Sequence, residues 1–95
     1  MNYSLIIPIY NEEKTLPSLI NRLNNLDIKN IEIIIIDDGS NDGTKDILFG
    51  INQFIIKRNK INLGKGASII KGVSIASKKN IILMDGDLEV DINDI

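Results

Sequence analysis

Ile81-Ile82-Leu83-Met84-Asp85-Gly86-Asp87 is the stretch whose reading decides the fold of this 95-residue chain. Four apolar residues in a row, between polar Asn80 and Gly86, predict a short strand covered on both faces. The strand runs directly into two carboxylates one residue apart. Paired carboxylates in an apolar setting repel each other and are costly to desolvate, and a divalent cation relieves both problems. Oxygen-only ligands suit Mg2+ or Mn2+, and an ion held by few protein oxygens keeps positions for phosphates. Taken alone, the triplet reads more readily as an ordinary acidic turn after a strand, because short acidic triplets are common in loops.

Outward from this stretch the pattern repeats. An apolar run at Leu5-Ile6-Ile7-Pro8-Ile9 predicts a strand from about Tyr3 to Ile7, with Pro8 at its end because proline cannot donate a ladder bond. Ile31 to Ile36 predicts a second strand, and its non-alternating isoleucines place it centrally. Phe54-Ile55-Ile56 predicts a shorter third strand at an edge. Helices fall between them. Leu16, Leu19, Ile20, Leu23 and Leu26 share one helical face, starting near Thr15 because Pro17 suits a first turn. A short helix spans Thr44 to Phe49, and another opens at Gly64-Lys65-Gly66 and runs to about Ser77. Its expected buried face is Ala67, Ile70 and Val73, with Ala76 and Ile69 beside it. Asp91 to Ile95 reads as the start of a further helix. The order β-α-β-α-β-α-β predicts an α/β domain with a parallel sheet of about four strands and helices on both faces. The first, second and fourth strands are expected in the centre.

A polar cluster follows each strand: Tyr10, Asn11 and Glu12; Asp37, Asp38 and Ser40; Arg58, Asn59 and Asn62; Asp85 and Asp87. A parallel sheet brings all four to its carboxyl edge, where open α/β sheets bind ligands. Each cluster alone reads also as a solvated loop. Gly64-Lys65-Gly66 at a helix start would favour a phosphate through backbone N–H groups, the helix dipole and a lysine, with Arg58 as a further positive charge. Equally, its glycines serve only to let the loop pass close to the sheet.

Composition narrows the classes. Hydrophobic residues make up 43% and charged residues 25%, an ordinary globular balance, so a packed domain is expected. The net charge of −2 gives no footprint for nucleic acid. Cys and His are absent, which excludes disulfides, thiolate metal sites and Ser-His or Cys-His nucleophile pairs. No apolar run approaches the ~20 residues that span a bilayer, and no signal peptide is visible, so the cytoplasm is the expected compartment. Ile69 stands where a dinucleotide fingerprint needs its third glycine, and Gly66 follows Lys65 where a phosphate loop needs Ser or Thr. Phe49 replaces the bidentate acid of a calcium loop begun at Asp38. A nucleotidyltransferase would carry a glycine-rich loop after the first strand, which Tyr10-Asn11-Glu12 does not supply.

Four motifs now stand in order: Pro8-Ile9-Tyr10-Asn11-Glu12, Asp37-Asp38-Gly39-Ser40-Asn41-Asp42-Gly43-Thr44, Asn62-Leu63-Gly64-Lys65-Gly66-Ala67 and Asp85-Gly86-Asp87-Leu88. Together they resemble a family 2 glycosyltransferase of the GT-A fold. The likeness is strongest to the branch that moves a hexose from a nucleotide sugar onto a polyprenyl (dolichyl or undecaprenyl) phosphate. The resemblance covers residues 1–95 and implies the N-terminal donor-binding part, a truncated GT-A sheet. It implies that Pro8, Tyr10 and Glu12 line the nucleoside pocket, that Asp38 accepts hydrogen bonds from the base, and that Asp37 supports it. Lys65 would lie near the donor phosphates, and Asp85, with Gly86, on the ribose or sugar side. Asp87 would hold the metal, Mg2+ or Mn2+, with Asp85 and Glu89 as further ligands. The implied donor is a UDP- or GDP-hexose, and a polyprenyl phosphate acceptor would bring the protein to a membrane surface peripherally. Family members are much longer, and their second half carries the acceptor site and later catalytic residues. A non-catalytic nucleotide-binding module working with a second chain, or a remnant, therefore stands as the alternative.

Overall fold

The computed structural model describes residues 2–26 and 30–84. Seven elements follow one another: β1 (Tyr3–Ile9), α1 (Leu16–Asn24), β2 (Ile31–Asp37), α2 (Thr44–Phe49), β3 (Ile55–Arg58), α3 (Lys65–Ile75) and β4 (Asn80–Leu83). The strands form one parallel sheet in the order β3-β2-β1-β4. This is the α/β architecture that the alternation predicts.

The two faces of the sheet bury different sets. Leu5, Ile7 and Ile9 of β1 and Ile33 and Ile35 of β2 pack with Leu16, Leu19, Ile20 and Leu23 of α1 and Leu48 of α2. The opposite residues, Ile6, Ile34 and Ile36, pack with Ile75 and Ala76 at the end of α3. β1 and β2 therefore read as continuous apolar runs, because both of their faces are covered.

Several expectations are corrected. β1 continues through Pro8 to Ile9, with Pro8 opposite Ile36 of β2. Successive residues of a strand address alternate neighbours, and the Ile6 carbonyl accepts from Met84 N–H, so position 8 also faces β4. Among the described residues the β1–β4 ladder ends at Ile6 and Leu83, so Pro8 interrupts none of its described bonds. β3 lies further along than expected and takes in Lys57 and Arg58, while Phe54 packs into the core just before it. β4 is the outer strand of the described sheet. Ile82 packs against the α1-side core, whereas Ile81 and Leu83 are exposed on the other face, so β4 is not covered on both sides.

α3 presents a different face from the expected one. Ser68 and Gly72 are its buried positions, and Ile70 is 72% exposed, with Val73 exposed beside it. A Cβ on Gly72 would stand 2.5 Å from Ile6 Cγ2, so only a small residue lets the helix sit this close to β1. Close approach, not side-chain hydrophobicity, chose the face.

The chain steps from β1 to β2 to β3 on one side and then crosses back to β4 on the other side of β1. The switch point lies between the carboxyl ends of β1 and β4, where an open α/β sheet forms its crevice.

Candidate functional site at the carboxyl edge

The loops after β1 and β2 are clasped to each other. Asn11 takes a positive φ of 51°, a conformation that Asn tolerates better than most residues. Its backbone N–H donates to Ser40 Oγ (2.9 Å), and its Oδ1 accepts from Asn41 N–H (2.9 Å). Glu12 N–H donates to the fully buried Thr44 hydroxyl (3.0 Å), and Gly43 N–H donates to Glu13 Oε1 (2.9 Å). The Glu12 carbonyl accepts from Thr15 and Leu16, and its carboxylate accepts from the Thr15 hydroxyl (2.9 Å). Glu12 and Glu13 thus precede α1 and organise its entry, in keeping with a helix that starts near Thr15. Tyr10, 42% exposed, stands at the open end of β1.

Asp37 and Asp38 are both buried and have separate partners. Asp37 Oδ2 pairs with Arg58 Nη1 at 2.6 Å, and its Oδ1 accepts from Ser40 N–H (3.0 Å). Arg58 Nη2 also donates to the Ser40 carbonyl (3.0 Å). The positive charge of Arg58, expected to be offered to a diphosphate, instead neutralises Asp37.

Asp38 is 3% exposed, and both of its carboxylate oxygens are held by hydrogen-bond donors. Its Oδ1 accepts from Asn59 Nδ2 (2.8 Å) and Leu63 N–H (2.8 Å), and its Oδ2 from Gly64 N–H (2.9 Å) and Asn62 Nδ2 (3.1 Å). Burial opposes its ionisation, but the donors from Leu63, Asn59, Gly64 and Ser68 outweigh that and hold the carboxyl below its ordinary value. The Gly64 N–H expected for a phosphate is therefore held by Asp38.

Asn59 is fixed from both ends of its amide. Nδ2 also contacts Ser68 Oγ (3.1 Å), and Oδ1 accepts from Lys71 Nζ (3.1 Å). Ser68 and Lys71 were not among the residues singled out from the sequence. The available signal was Ser68 and Gly72, two small residues at i and i+4 marking a close-packed helix face.

Pro8 is buried within β1 at the floor of this edge, and Lys65 opens α3 in an exposed position. Asp85, Gly86, Asp87 and Glu89 lie outside the described residues. Among the described residues, no three His, Cys, Asp or Glu side chains come together as a metal site. No helix among them is long and apolar enough to cross a membrane.

The family model for glycosyl transferase family 2 matches residues 4–95. A dolichyl-phosphate beta-glucosyltransferase from Trichomonas vaginalis is 34% identical over 104 residues, covering 96% of this chain and 32% of its own length. S. aureus TarS in complex with UDP-GlcNAc superposes with a TM-score of 0.78 at 26% identity, over 92% of this chain and 27% of that one. The Pyrobaculum calidifontis mannosyltransferase PcManGT, in complex with GDP-Man and Mn2+, has a TM-score of 0.78 at 18% identity, a likeness of fold, over 90% of this chain and 27% of that one. The chain spans about three tenths of the length of the curated relatives it matches. Motifs, sheet order and family match over nearly all its residues agree: this chain belongs to glycosyltransferase family 2.

Proposed function

We propose that this chain is the donor-binding part of a glycosyltransferase that takes a nucleoside-diphosphate hexose, UDP- or GDP-linked, and transfers the hexose to a polyprenyl phosphate. The observation that carries this reading is the family match over residues 4–95, with the motifs that follow β1, β2 and β3 gathered on the carboxyl edge of the sheet. TarS was solved with UDP-GlcNAc and PcManGT with GDP-Man, which supports the donor class, and the dolichyl-phosphate relative supports the acceptor class. In the transfer, the bond from the anomeric carbon to the diphosphate oxygen breaks and that oxygen keeps the electron pair. A bond from the same carbon to an acceptor phosphate oxygen forms.

Pro8, Tyr10, Glu12, Asp37 and Asp38 are assigned to the nucleoside side, and the exposed Tyr10 ring offers a flat surface to a base. Lys65, at the start of α3, is assigned to the diphosphate side, and Asp85 with Gly86 to the sugar side. A divalent ion, Mg2+ or Mn2+, is assigned to Asp87 with Asp85 and Glu89. Such an ion would supply Lewis-acid stabilisation of the departing diphosphate.

Isothermal titration with UDP and with GDP, each with and without Mn2+, tests the reading. The expected result is binding of one nucleotide that strengthens at least about tenfold with Mn2+ and loses that gain in Asp87→Ala. Equal binding by Asp87→Ala and the parent in Mn2+ would remove the metal assignment. A cooperatively folded chain that binds neither nucleotide would remove the donor assignment.

A further inference from the structure

We propose that Asn11 is a positioning residue. It locks the β1 loop, which carries Tyr10 and Glu12, to the β2 loop, which carries Asp37 and Asp38, and selectivity for the nucleotide base depends on that lock. The effect on binding rests on the donor-site reading above; the lock itself does not.

Asn11 stands between two residues assigned to the nucleoside side. Among the described residues it is the non-glycine residue with a positive φ, 51°. Such a conformation costs an L residue free energy, and it persists where the surroundings fix it from several directions. Three consecutive backbone N–H groups here donate to side chains of the next loop: Asn11 to Ser40 Oγ, Glu12 to Thr44 Oγ1 and Glu13 to Asp42 Oδ2. Two bonds run the other way, from Asn41 N–H to Asn11 Oδ1 and from Gly43 N–H to Glu13 Oε1. An Asn side chain in a turn commonly bonds its own neighbouring backbone. This one reaches 30 residues along the chain instead.

The lock continues to the acids. Ser40, which accepts from Asn11 N–H, is buried. Its own N–H donates to Asp37 Oδ1, and its carbonyl accepts from Arg58, the ion-pair partner of Asp37. Asp38 N–H in turn donates to the carbonyl of Ile9, the residue before Tyr10. A base stacked on the exposed Tyr10 ring and hydrogen-bonded to an acid of the β2 loop needs the two at a fixed separation. A slip of about 0.5 Å takes a hydrogen bond from the middle of its range to beyond it. Lys65, assigned to the diphosphate side, opens α3 and is no party to these five bonds. Loosening the lock should therefore lower discrimination between bases and spare the phosphate contacts.

The test uses two variants. Asn11→Gly holds the left-handed backbone without strain and withdraws the Oδ1 acceptor. Ser40→Ala loosens the lock from the other loop, since it withdraws the acceptor of Asn11 N–H. The chain has no Trp and two Tyr, so in a Tyr3→Phe background the tyrosine fluorescence is that of Tyr10. Its anisotropy reads the freedom of the ring. Titration with UDP, GDP and the base-free ribose 5-diphosphate, each with Mn2+, reads the site. In both variants Tyr10 anisotropy should fall, and the ratio of UDP to GDP affinity should move toward one by at least about fivefold. Affinity for ribose 5-diphosphate should change by less than about twofold. A residue that merely supported the fold would weaken all three ligands by a common factor and leave the ratio unchanged, which would overturn the proposal. An unchanged anisotropy would overturn it too, as would a parent that binds UDP and GDP equally. If one variant does not fold, the other carries the test. A parent that binds none of the three ligands would sink the donor-site reading, and anisotropy would then decide alone whether Asn11 locks the ring.

Discussion

Gly39 is the residue where one added methyl group has the largest predictable effect. Its φ of +70° lies in the left-handed region, and a Cβ there would stand within 2.7 Å of three backbone atoms of Ile61 and Asn62. Both the backbone conformation and the space exclude a side chain, and backbone atoms cannot move aside as a flexible side-chain end can. Gly39→Ala should therefore cost at least about 2 kcal/mol, which for a domain of this size lowers Tm by roughly 8 °C or more. Urea unfolding of the two chains checks it, and a loss under about 0.5 kcal/mol would show that the β2–α2 and β3–α3 loops are not in contact. The residue-scale lesson concerns partners. Two acids after a buried strand are visible in the sequence as a polar cluster at the sheet edge. Whether they face a ligand or the protein is not visible, because Arg58 and Asn59, which meet Asp37 and Asp38, lie 21 residues away. The sequence therefore shows where Asp37 and Asp38 lie on the sheet and not what they bind.

At the scale of elements, what was legible followed from how many faces of each element are covered. The isoleucine run of β2 is central, and α2 spans Thr44–Phe49 as expected. α1 begins after Thr15 with Pro17 in its first turn, and Leu16, Leu19, Ile20 and Leu23 are buried, because a single apolar stripe leaves one way to pack. α3 has apolar residues around most of its circumference, so periodicity could not choose among its faces. Contact with Ile6 chose the Ser68–Gly72 stripe, a criterion set by a strand far away in the chain. Opposite signs are expected on the two faces. Gly72→Ala gains about 1 kcal/mol of helix propensity but forces a Cβ to 2.5 Å from Ile6 Cγ2, and overpacking of about 1–3 kcal/mol outweighs it, so the net change is destabilising. Ile70→Gln, on the exposed face, should change stability by no more than about 0.5 kcal/mol. Thermal melts of both variants check the assignment, and a larger loss from Ile70→Gln than from Gly72→Ala would restore the face read from the sequence. β4 shows the same limit. The four apolar residues from Ile81 to Met84 predict two covered faces, yet among the described residues only the α1 side is covered, so an apolar run reports composition and not cover.

Across the described molecule, two carboxylates with several hydrogen-bond partners sit at opposite edges of the sheet. Asp38 gathers the β3–α3 loop at the carboxyl edge. Glu32, at the other edge, accepts from Ser77 N–H (2.8 Å), Ser77 Oγ (2.7 Å) and Ser4 Oγ (2.8 Å), tying β1 and β2 to the chain between α3 and β4. The Ser77 backbone N–H is the main influence lowering the Glu32 carboxyl below its ordinary value. Burial works against that, and the Ser77 and Ser4 hydroxyls and Lys78 add to the lowering. Both acids thus give up protons more readily folded than unfolded. Their stabilisation is complete above the ordinary values of 4.5 for Glu32 and 3.8 for Asp38, and it is lost as pH falls through the lower native values. Tm should be nearly flat from about pH 7 to pH 5 and then fall steeply. Glu32→Gln separates the two contributions. Gln keeps an acceptor for Ser77 N–H, and the Ser77 hydroxyl can reverse to accept from the new amide, so the fold should hold. The variant should melt lower than the parent at pH 7, and the gap should close as the pH drops, because the parent then loses what the variant never had. Scanning calorimetry from pH 7 to 3 measures both curves. A gap that stays constant with pH would mean that Glu32 holds the sheet's amino edge by shape and hydrogen bonding alone, with no contribution from its charge.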